Sequence, residues 1–304
     1  MSALHPIIGV TGSSGAGTSA AMAVFLRLFA KMGLKPAIVE GDAFHAYDRE
    51  GNRKAIERAQ IRGENFSFFG PQGNHLDRLE ALLREYSTKG TGTCRTYLHT
   101  EAEAKAAGQP AGTFTPWQRL EPGTDVLFYE GLHGAHVGED ADIARHMDLL
   151  IGVTPVINLE WIQKIKRDTD ERGHTPEDVT RTILRRMPDY VTYIVPQFSR
   201  TDVNFQRVPL VDTSNPFEVR DIPPAEKSLV VVHFNPQSRL HPDLDAYCAA
   251  IYGASPSDDH TLVVPGTEME RTMELIMAPA IEMLLVRRNQ QALATQPAEP
   301  TTNL

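Results

Sequence analysis

The sequence contains only two cysteines in 304 residues, Cys94 and Cys248, and they lie far apart. Small secreted domains stabilised by disulfides carry more cysteines at closer spacing, so we expect both residues to be free thiols. The Cys/His spacing of a zinc site is also missing. The sequence therefore predicts neither a disulfide scaffold nor a structural zinc domain.

Long apolar runs and an excess of positive charge are also lacking. No run approaches the roughly 18 apolar residues of a membrane helix, and MSALHPIIGV has no basic, cleavable leader pattern. We expect a cytoplasmic protein without a membrane partner. The formal net charge of -9 disfavours a broad nucleic-acid surface. A site for phosphorylated ligands must therefore be local, built from a few cations and backbone N–H groups.

Short apolar runs alternate with helical patterns along the chain, which predicts an α/β fold: a mainly parallel sheet with helices on both faces. The predicted strands are Pro6–Thr11, Ala37–Gly41, Val126–Glu130, Leu149–Val153, Val208–Val211, Leu229–Phe234 and Thr261–Val264. The predicted helices are Ser19–Met32, Arg53–Arg62, Leu76–Tyr86, Leu159–Glu171, Pro176–Arg186 and Thr272–Arg288. We expect one domain over residues 1–289, with an insertion of Gly-rich loops from Gly63 to Pro122 and a disordered tail over residues 290–304.

A glycine-rich segment follows the first predicted strand and opens a helix. It reads GSSGAGTS and comprises Gly12, Ser13, Ser14, Gly15, Ala16, Gly17, Thr18 and Ser19. Glycines let successive N–H groups point at an anion, and the helix N-terminus adds partial positive charge. The segment resembles a P-loop with threonine in place of the usual lysine. The alternative is a simple Gly/Ser turn between a strand and a helix.

Carboxylates close two further strands. Glu130 ends the apolar run VLFYE, where it and the hydroxyl of Ser19 are candidate Mg²⁺ ligands, although a solvated carboxylate is the alternative. Asp42 follows the second strand, where it is a candidate general base for an acceptor hydroxyl. A helix N-cap is the alternative role for Asp42.

Two helical segments carry clusters of charge. Lys164, Arg167 and Asp168 share one helix face by their spacing, although an exposed helix with weak ion pairs is the alternative. Arg181 and Arg185 lie one turn apart, next to Arg186, and present a fork of donors suited to phosphate. The alternative for this second cluster is a solvated charged helix.

Together these segments resemble the bacterial branch of the phosphoribulokinase family. The resemblance rests on GSSGAGTS, IVEGDAFH, TCRTYLH, FYEGLHGA, VINLEWIQKIKRD, ILRRM, YIVPQFSRTDVNFQRVP and VDTSNPF, in this order as far as about Val264. The threonine at the lysine position of the P-loop is shared with that branch. The resemblance implies transfer of the γ-phosphoryl group of Mg-ATP to the 1-hydroxyl of D-ribulose 5-phosphate, the step that supplies ribulose 1,5-bisphosphate to the Calvin cycle.

The resemblance also implies roles for individual residues. Asp42 is expected to be the base, Asp168 a second essential acid, and Lys164 a cation that replaces the missing lysine of the P-loop. Glu130 is expected to bind Mg²⁺ and Arg186 to lie on the ATP side of a lid. The expected sugar-phosphate contacts are His45, Arg49, Tyr97, His99, Arg167 and Arg172.

Regulation and assembly are expectations from the resemblance as well. Plant-type members have a switch cysteine in the P-loop, where this chain has Ala16, so we expect no thioredoxin-type control. Bacterial members imply a homo-octamer and an NADH effector. Two alternatives compete with this assignment: a related P-loop kinase of the uridine or pantothenate type, and an inactive nucleotide-binding assembly protein. The second is disfavoured because Asp42, Glu130 and Asp168 are all present.

Overall fold

A computed structural model describes residues 4–219 and 221–294 of the chain. The strands are β1 (Ile7–Thr11), β2 (Pro36–Glu40), β3 (Thr93–Cys94), β4 (Gln118–Arg119), β5 (Val126–Gly131), β6 (Leu149–Val153), β7 (Val203–Pro209), β8 (Ser228–Phe234), β9 (Ser255–Asp258) and β10 (Thr261–Pro265). The α-helices are α1 (Thr18–Lys31), α2 (Arg49–Ile61), α3 (Leu76–Lys89), α4 (Glu101–Ala107), α5 (Ile157–Asp170), α6 (Pro176–Asp189), α7 (Leu244–Ala250) and α8 (Met269–Ala294).

The main sheet has eight strands in the order β2-β5-β1-β6-β7-β8-β10-β9. The strands from β2 to β7 in this order run parallel, and β8, β10 and β9 add an antiparallel edge. The predicted mainly parallel α/β fold is therefore confirmed. Because β1, β2 and β5 are parallel neighbours, the loops after their carboxyl ends meet at one edge of the sheet.

Helices cover both faces of the sheet because successive side chains of a strand point to opposite sides. Ile8 and Phe128 pack into one core with α1 and α8. Ile7 and Leu127 point the other way, into a second core with α3. Buried alternation on both faces explains why β1 and β5 read as continuous apolar runs.

Several elements differ in extent from the sequence-based expectation. The strand expected at Val208–Val211 is β7, which begins earlier, at Val203. Its start was missed because its buried residues, Val203 and Phe205, alternate with polar ones. Within the expected insertion, the helix predicted at Leu76–Tyr86 is confirmed as α3 and ends at Lys89, as a buried part of the second core. Finally, α8 continues to Ala294, so residues 290–294 of the expected tail are helical and the rest lies outside the described residues.

Two further expectations concern the cysteines and membrane-spanning helices. Cys94 and Cys248 are both free thiols, as expected. Burial raises the pKa of the Cys94 thiol to about 11, which suppresses its reactivity because the thiolate is the nucleophile. Across the residues that the structure describes, no helix is both long enough and apolar enough to cross a membrane.

Candidate active site

The glycine-rich loop between β1 and α1 adopts backbone geometry that only glycine accommodates readily. Gly15 has φ +107° and Gly17 has φ +97°, both in the left-handed region. A Cβ atom at Gly15 would lie 2.9 Å from Lys164 Cβ and 3.0 Å from the backbone oxygen of Glu160. The loop is therefore wrapped tightly against α5.

The N-terminus of α1 is open to a ligand. Gly17 is its N-cap, and no side chain caps the helix, so the N–H groups of its first turn remain available to an anion. The strand, the loop and the uncapped helix together fit a phosphate group better than a simple turn. A triphosphate would be held by these backbone N–H groups.

Glu130 stands at the end of β5, opposite Val10 of β1 and Glu40 of β2. Burial raises the pKa of Glu130 to about 7, and the charges of Asp42 and Glu40 add to this effect, although a hydrogen bond with Thr18 opposes it. A divalent cation would favour the ionised carboxylate and so relieve this shift. Glu130 is therefore a candidate Mg²⁺ ligand, because a bound cation would offset the effect of its burial.

Mg²⁺ needs few protein ligands, because water and phosphate oxygens fill most of its octahedral shell. Ser19, in the first turn of α1, and Glu130 are the candidates. Within residues 4–219 and 221–294, no cluster of three or more His, Cys, Asp or Glu side chains forms a metal site by itself. The donor set thus fits an ion that arrives with a nucleotide.

Asp42 lies in a 3₁₀ turn (Gly41–Phe44) directly after β2. The N-cap of this turn is Glu40, and the N-cap of α2 is Asp48, so the alternative of Asp42 as a helix cap is wrong. Asp42 Oδ1 lies 3.1 Å from His45 Nε2, and Oδ2 lies 3.5 Å from His99 Nε2.

The neighbours of Asp42 decide its charge. Burial acts to raise the pKa of Asp42, but the nearby His45, His99 and Arg172 lower it more, so the net shift is downward. The side chain is therefore a carboxylate at neutral pH.

The side chains expected to hold a sugar phosphate gather beside Asp42. The Tyr97 ring packs edge-on to His99, with 4.7 Å between centroids, and its centroid is 6.2 Å from that of His45. Arg49 donates to the backbone oxygen of His99 at 3.2 Å and hydrogen-bonds to Tyr97. Residues from two segments, 45–49 and 97–99, thus meet beside the carboxylate.

A second carboxylate, Asp168, lies on α5 at the centre of a cluster of cations. Lys164 Nζ is 2.5 Å from Oδ2, while Arg167 Nη2 and Arg172 Nη1 are 2.9 and 3.2 Å from Oδ1. Lys164 and Asp168 are each only 6% exposed, so the alternative of an exposed helix with weak ion pairs is wrong. Arg167 also donates to Ser14 Oγ at 3.0 Å, which ties this cluster to the P-loop.

The two members of the buried pair have shifted pKa values. Burial and the charge of Arg186 lower the pKa of Lys164 to about 8, although Asp168 opposes the shift. Burial acts to raise the pKa of Asp168, but Lys164, Arg167 and Arg172 overcome it and lower the pKa. The pair therefore remains ionic near neutral pH.

The arginines of α6 separate into different environments. Arg181 is 77% exposed and pairs with Asp178, while Arg185 donates to the backbone oxygen of Phe66. The expected phosphate fork of Arg181 and Arg185 is therefore wrong. Arg186 lies over the Phe69 ring at 5.5 Å, and its buried Nε has no hydrogen-bond partner among the described residues. A phosphate oxygen would supply that partner.

Sequence reasoning missed four residues around the site. Glu160 is 5% exposed, lies under the P-loop and accepts from Tyr190 at 3.2 Å. Phe68 stacks on the His45 ring, Asn74 hydrogen-bonds to it, and His133 contacts Asn74. Their sequence signal is weak because an aromatic or amide in a loop has many roles. Only contacts between distant segments reveal these residues.

The fold and the site define a class: a P-loop kinase, in which a parallel sheet presents a phosphate loop after its first strand and carboxylates after its neighbours. The profile of the "Phosphoribulokinase / Uridine kinase family" matches residues 7–214. The chain belongs to this family and is an enzyme, a kinase.

Particular relatives narrow the comparison to the phosphoribulokinases. The chain is 51% identical to a "Probable phosphoribulokinase" of Escherichia coli (strain K12), over 94% of this chain and 98% of the relative. It is 50% identical to the plasmid phosphoribulokinase of Cupriavidus necator, over 96% of this chain and all of the relative. The solved phosphoribulokinase from Rhodobacter spheroides superposes with a TM-score of 0.84 at 46% identity, covering 94% of this chain and 99% of that one. The resemblance to the phosphoribulokinases is confirmed.

Proposed function

We propose that the chain transfers the γ-phosphoryl group of Mg-ATP to the 1-hydroxyl of D-ribulose 5-phosphate, with Asp42 as the general base. The observation that carries this proposal is the pair of facing anion-binding features. The uncapped N-terminus of α1 at Gly17 fits a triphosphate. The cations around Asp42 and Asp168 fit an acceptor that carries its own phosphate.

The proposed chemistry follows from charge and proton transfer. Asp42 accepts the proton of the acceptor hydroxyl as its oxygen attacks phosphorus. Lys164, Arg167 and Arg186 stabilise the negative charge that develops on the transferred group. Mg²⁺, held by Ser19 and Glu130, would neutralise the phosphate oxygens of the nucleotide. Arg49, Arg167 and Arg172, with His45, Tyr97 and His99, orient the sugar phosphate.

The substrate is tested by measuring ADP release with ribulose 5-phosphate and, separately, with uridine. We expect turnover with the sugar phosphate, and ³¹P NMR should show one new phosphomonoester per ADP. Turnover with uridine alone would reject the proposed acceptor while leaving the kinase class intact. Activity that requires neither compound would reject both.

The base is tested by Asp42→Asn, which we expect to lower kcat by about 10²- to 10⁴-fold. Asp48→Asn is a matched control, because Asp48 lies in the same loop and caps α2 by accepting from the Gly51 N–H, a role that asparagine retains. An Asp42→Asn enzyme as fast as the Asp48→Asn control would exclude Asp42 as the base.

A further inference from the structure

The side-chain amide of Asn74 connects its own loop, at Phe68 and Gly70, to His45, the neighbour of the proposed base. Its Nδ2 donates to the backbone oxygens of Phe68 at 2.9 Å and Gly70 at 2.8 Å. A carbonyl oxygen only accepts, so both amide protons point to these oxygens. His133 Nε2 also lies 3.1 Å from Asn74 Nδ2 but has its own acceptor, the Phe68 oxygen at 2.9 Å. The reversed amide would place Oδ1 against those two oxygens. The hydrogen bonds therefore fix which end of the amide is which.

The oxygen end of Asn74 faces His45. Asn74 Oδ1 lies 2.8 Å from His45 Nδ1, and an amide oxygen only accepts, so Nδ1 must carry a proton. The ring cannot turn away, because it is 5% exposed and stacks on Phe68 with 3.6 Å between centroids and 3° between planes. A backbone bridge between His45 and Asn74 holds the two residues in register.

The other nitrogen of the ring faces the proposed base. His45 Nε2 lies 3.1 Å from Asp42 Oδ1, and a carboxylate also only accepts. With the first proton held on Nδ1, a neutral ring would turn its Nε2 lone pair toward the carboxylate. Only the doubly protonated ring donates to both neighbours at once.

We infer that Asn74 is a positioning residue that holds a proton on His45 Nδ1 and so makes the hydrogen bond to Asp42 depend on a charged ring. This inference rests on the proposed function, since it explains how the hydrogen bond from His45 orients Asp42, the proposed base. With Oδ1 engaged by His45, Oδ2 is the oxygen left to receive the proton of the acceptor. Loss of the ring's charge would turn the contact from attraction to repulsion.

Several other titratable or charged groups face this pair. These residues must be left unmutated in every variant used for a pH experiment. They are Arg95, which donates to the His45 backbone oxygen, Tyr97 and His133 near the His45 ring, and His99 and Arg172 near Asp42. None of them contacts His45 Nδ1 in the described residues, where Asn74 is the hydrogen-bond partner.

The proton position is measured directly by long-range ¹H–¹⁵N NMR of histidine-labelled protein without substrates, between about pH 5 and 9. In the wild-type protein we expect the neutral His45 ring to carry its proton on Nδ1. In Asn74→Ala, the neutral ring should move its proton to Nε2, toward Asp42. A wild-type ring that is neutral with its proton on Nε2 would overturn the inference, whether or not any variant folds.

Two internal references accompany this measurement. His133 Nε2 lies 3.1 Å from Asn74 Nδ2 and 2.9 Å from the Phe68 oxygen. Because Asn74→Ala leaves the Phe68 oxygen in place, the neutral His133 ring should keep its proton on Nε2 in every variant. Asn204→Ala removes a comparable amide, which donates to the Phe198 backbone oxygen at 2.8 Å; the histidine beside Asn204 is His233 on β8, not His45. This substitution should leave the His45 spectrum unchanged.

The effect on catalysis is a change in the shape of the pH profile. Under conditions in which NMR shows the His45 ring to be neutral, the ratio of kcat for wild type to kcat for Asn74→Ala should be about 2- to 10-fold lower than where the ring is charged, the value of one hydrogen bond. A purely structural role would lower kcat by the same factor at every pH, as we expect for Asn204→Ala. Parallel profiles would therefore overturn the inference. Failure of Asp42 as base is seen separately, as an unchanged rate in Asp42→Asn.

Discussion

Replacing Asp168 with asparagine should destabilise the protein strongly, because the carboxylate neutralises a buried lysine. Asp168 and Lys164 are each 6% exposed, and their charged atoms lie 2.5 Å apart. Removing one partner of a buried ion pair costs about 3–5 kcal/mol. That is a large part of the about 5–15 kcal/mol that separates folded from unfolded domains.

The same substitution should change the pH dependence of stability. The pKa of Lys164 is lowered from 10.5 to about 8, so between these values the unfolded chain holds a proton that the folded protein has released. Stability therefore rises with pH across this window. Asp168 opposes the lowering of the Lys164 pKa, so in Asp168→Asn the rise should begin at a lower pH.

The measurement is a double-mutant cycle with Lys164→Met and Asp168→Asn, using urea unfolding without substrates at fixed protein concentration. We expect a coupling free energy of about 1–3 kcal/mol. Lys166 and Asp170 provide a matched control on the same helix, because they are also four residues apart. Their charged atoms lie 2.9 Å apart, but their side chains are 39% and 56% exposed. Their cycle should give about 0.3–0.5 kcal/mol. Equal coupling in the two cycles would refute the argument from burial.

Three further substitutions test the site. Burial raises the pKa of Glu160 from 4.5 to about 7, so stability falls as pH rises across that range. Glu160→Gln should therefore raise the thermal midpoint of unfolding at pH 8, and raise it by less at pH 5. Equal shifts at the two pH values would contradict this. Gly15→Ala should weaken ATP binding by about 10-fold or more through strain at φ +107°, measured by calorimetry; Gly33→Ala, strained at φ +66° but far from the loop in sequence and without close neighbours, should not. Arg186→Ala should lower kcat by about 10²-fold while the exposed Arg181→Ala leaves it unchanged, and similar losses in both would reject the assignment of Arg186.

The central fold was predictable because its signals are local. The strands β1 and β5 are nearly continuous apolar runs, as expected for strands covered by helices on both faces. The glycines after β1 predict a loop with backbone geometry that favours glycine. The strand β7 was misplaced because its buried residues alternate with polar ones, while the apolar Leu210 just beyond it is 60% exposed.

The sequence by itself determined the parallel sheet, the phosphate loop and the acidic strand ends, since each depends on residues close together in the chain. Helical spacing also placed Lys164 and Asp168 on one face of α5. Whether that face was buried or solvated depended on packing against the P-loop, and only the tertiary structure decided it. The contact of Asn74 with His45, 29 positions apart, was likewise invisible in the sequence, because neither residue type nor spacing specifies which loops meet. Long-range packing fixes the burial of these groups, and burial sets their charge and hydrogen bonding.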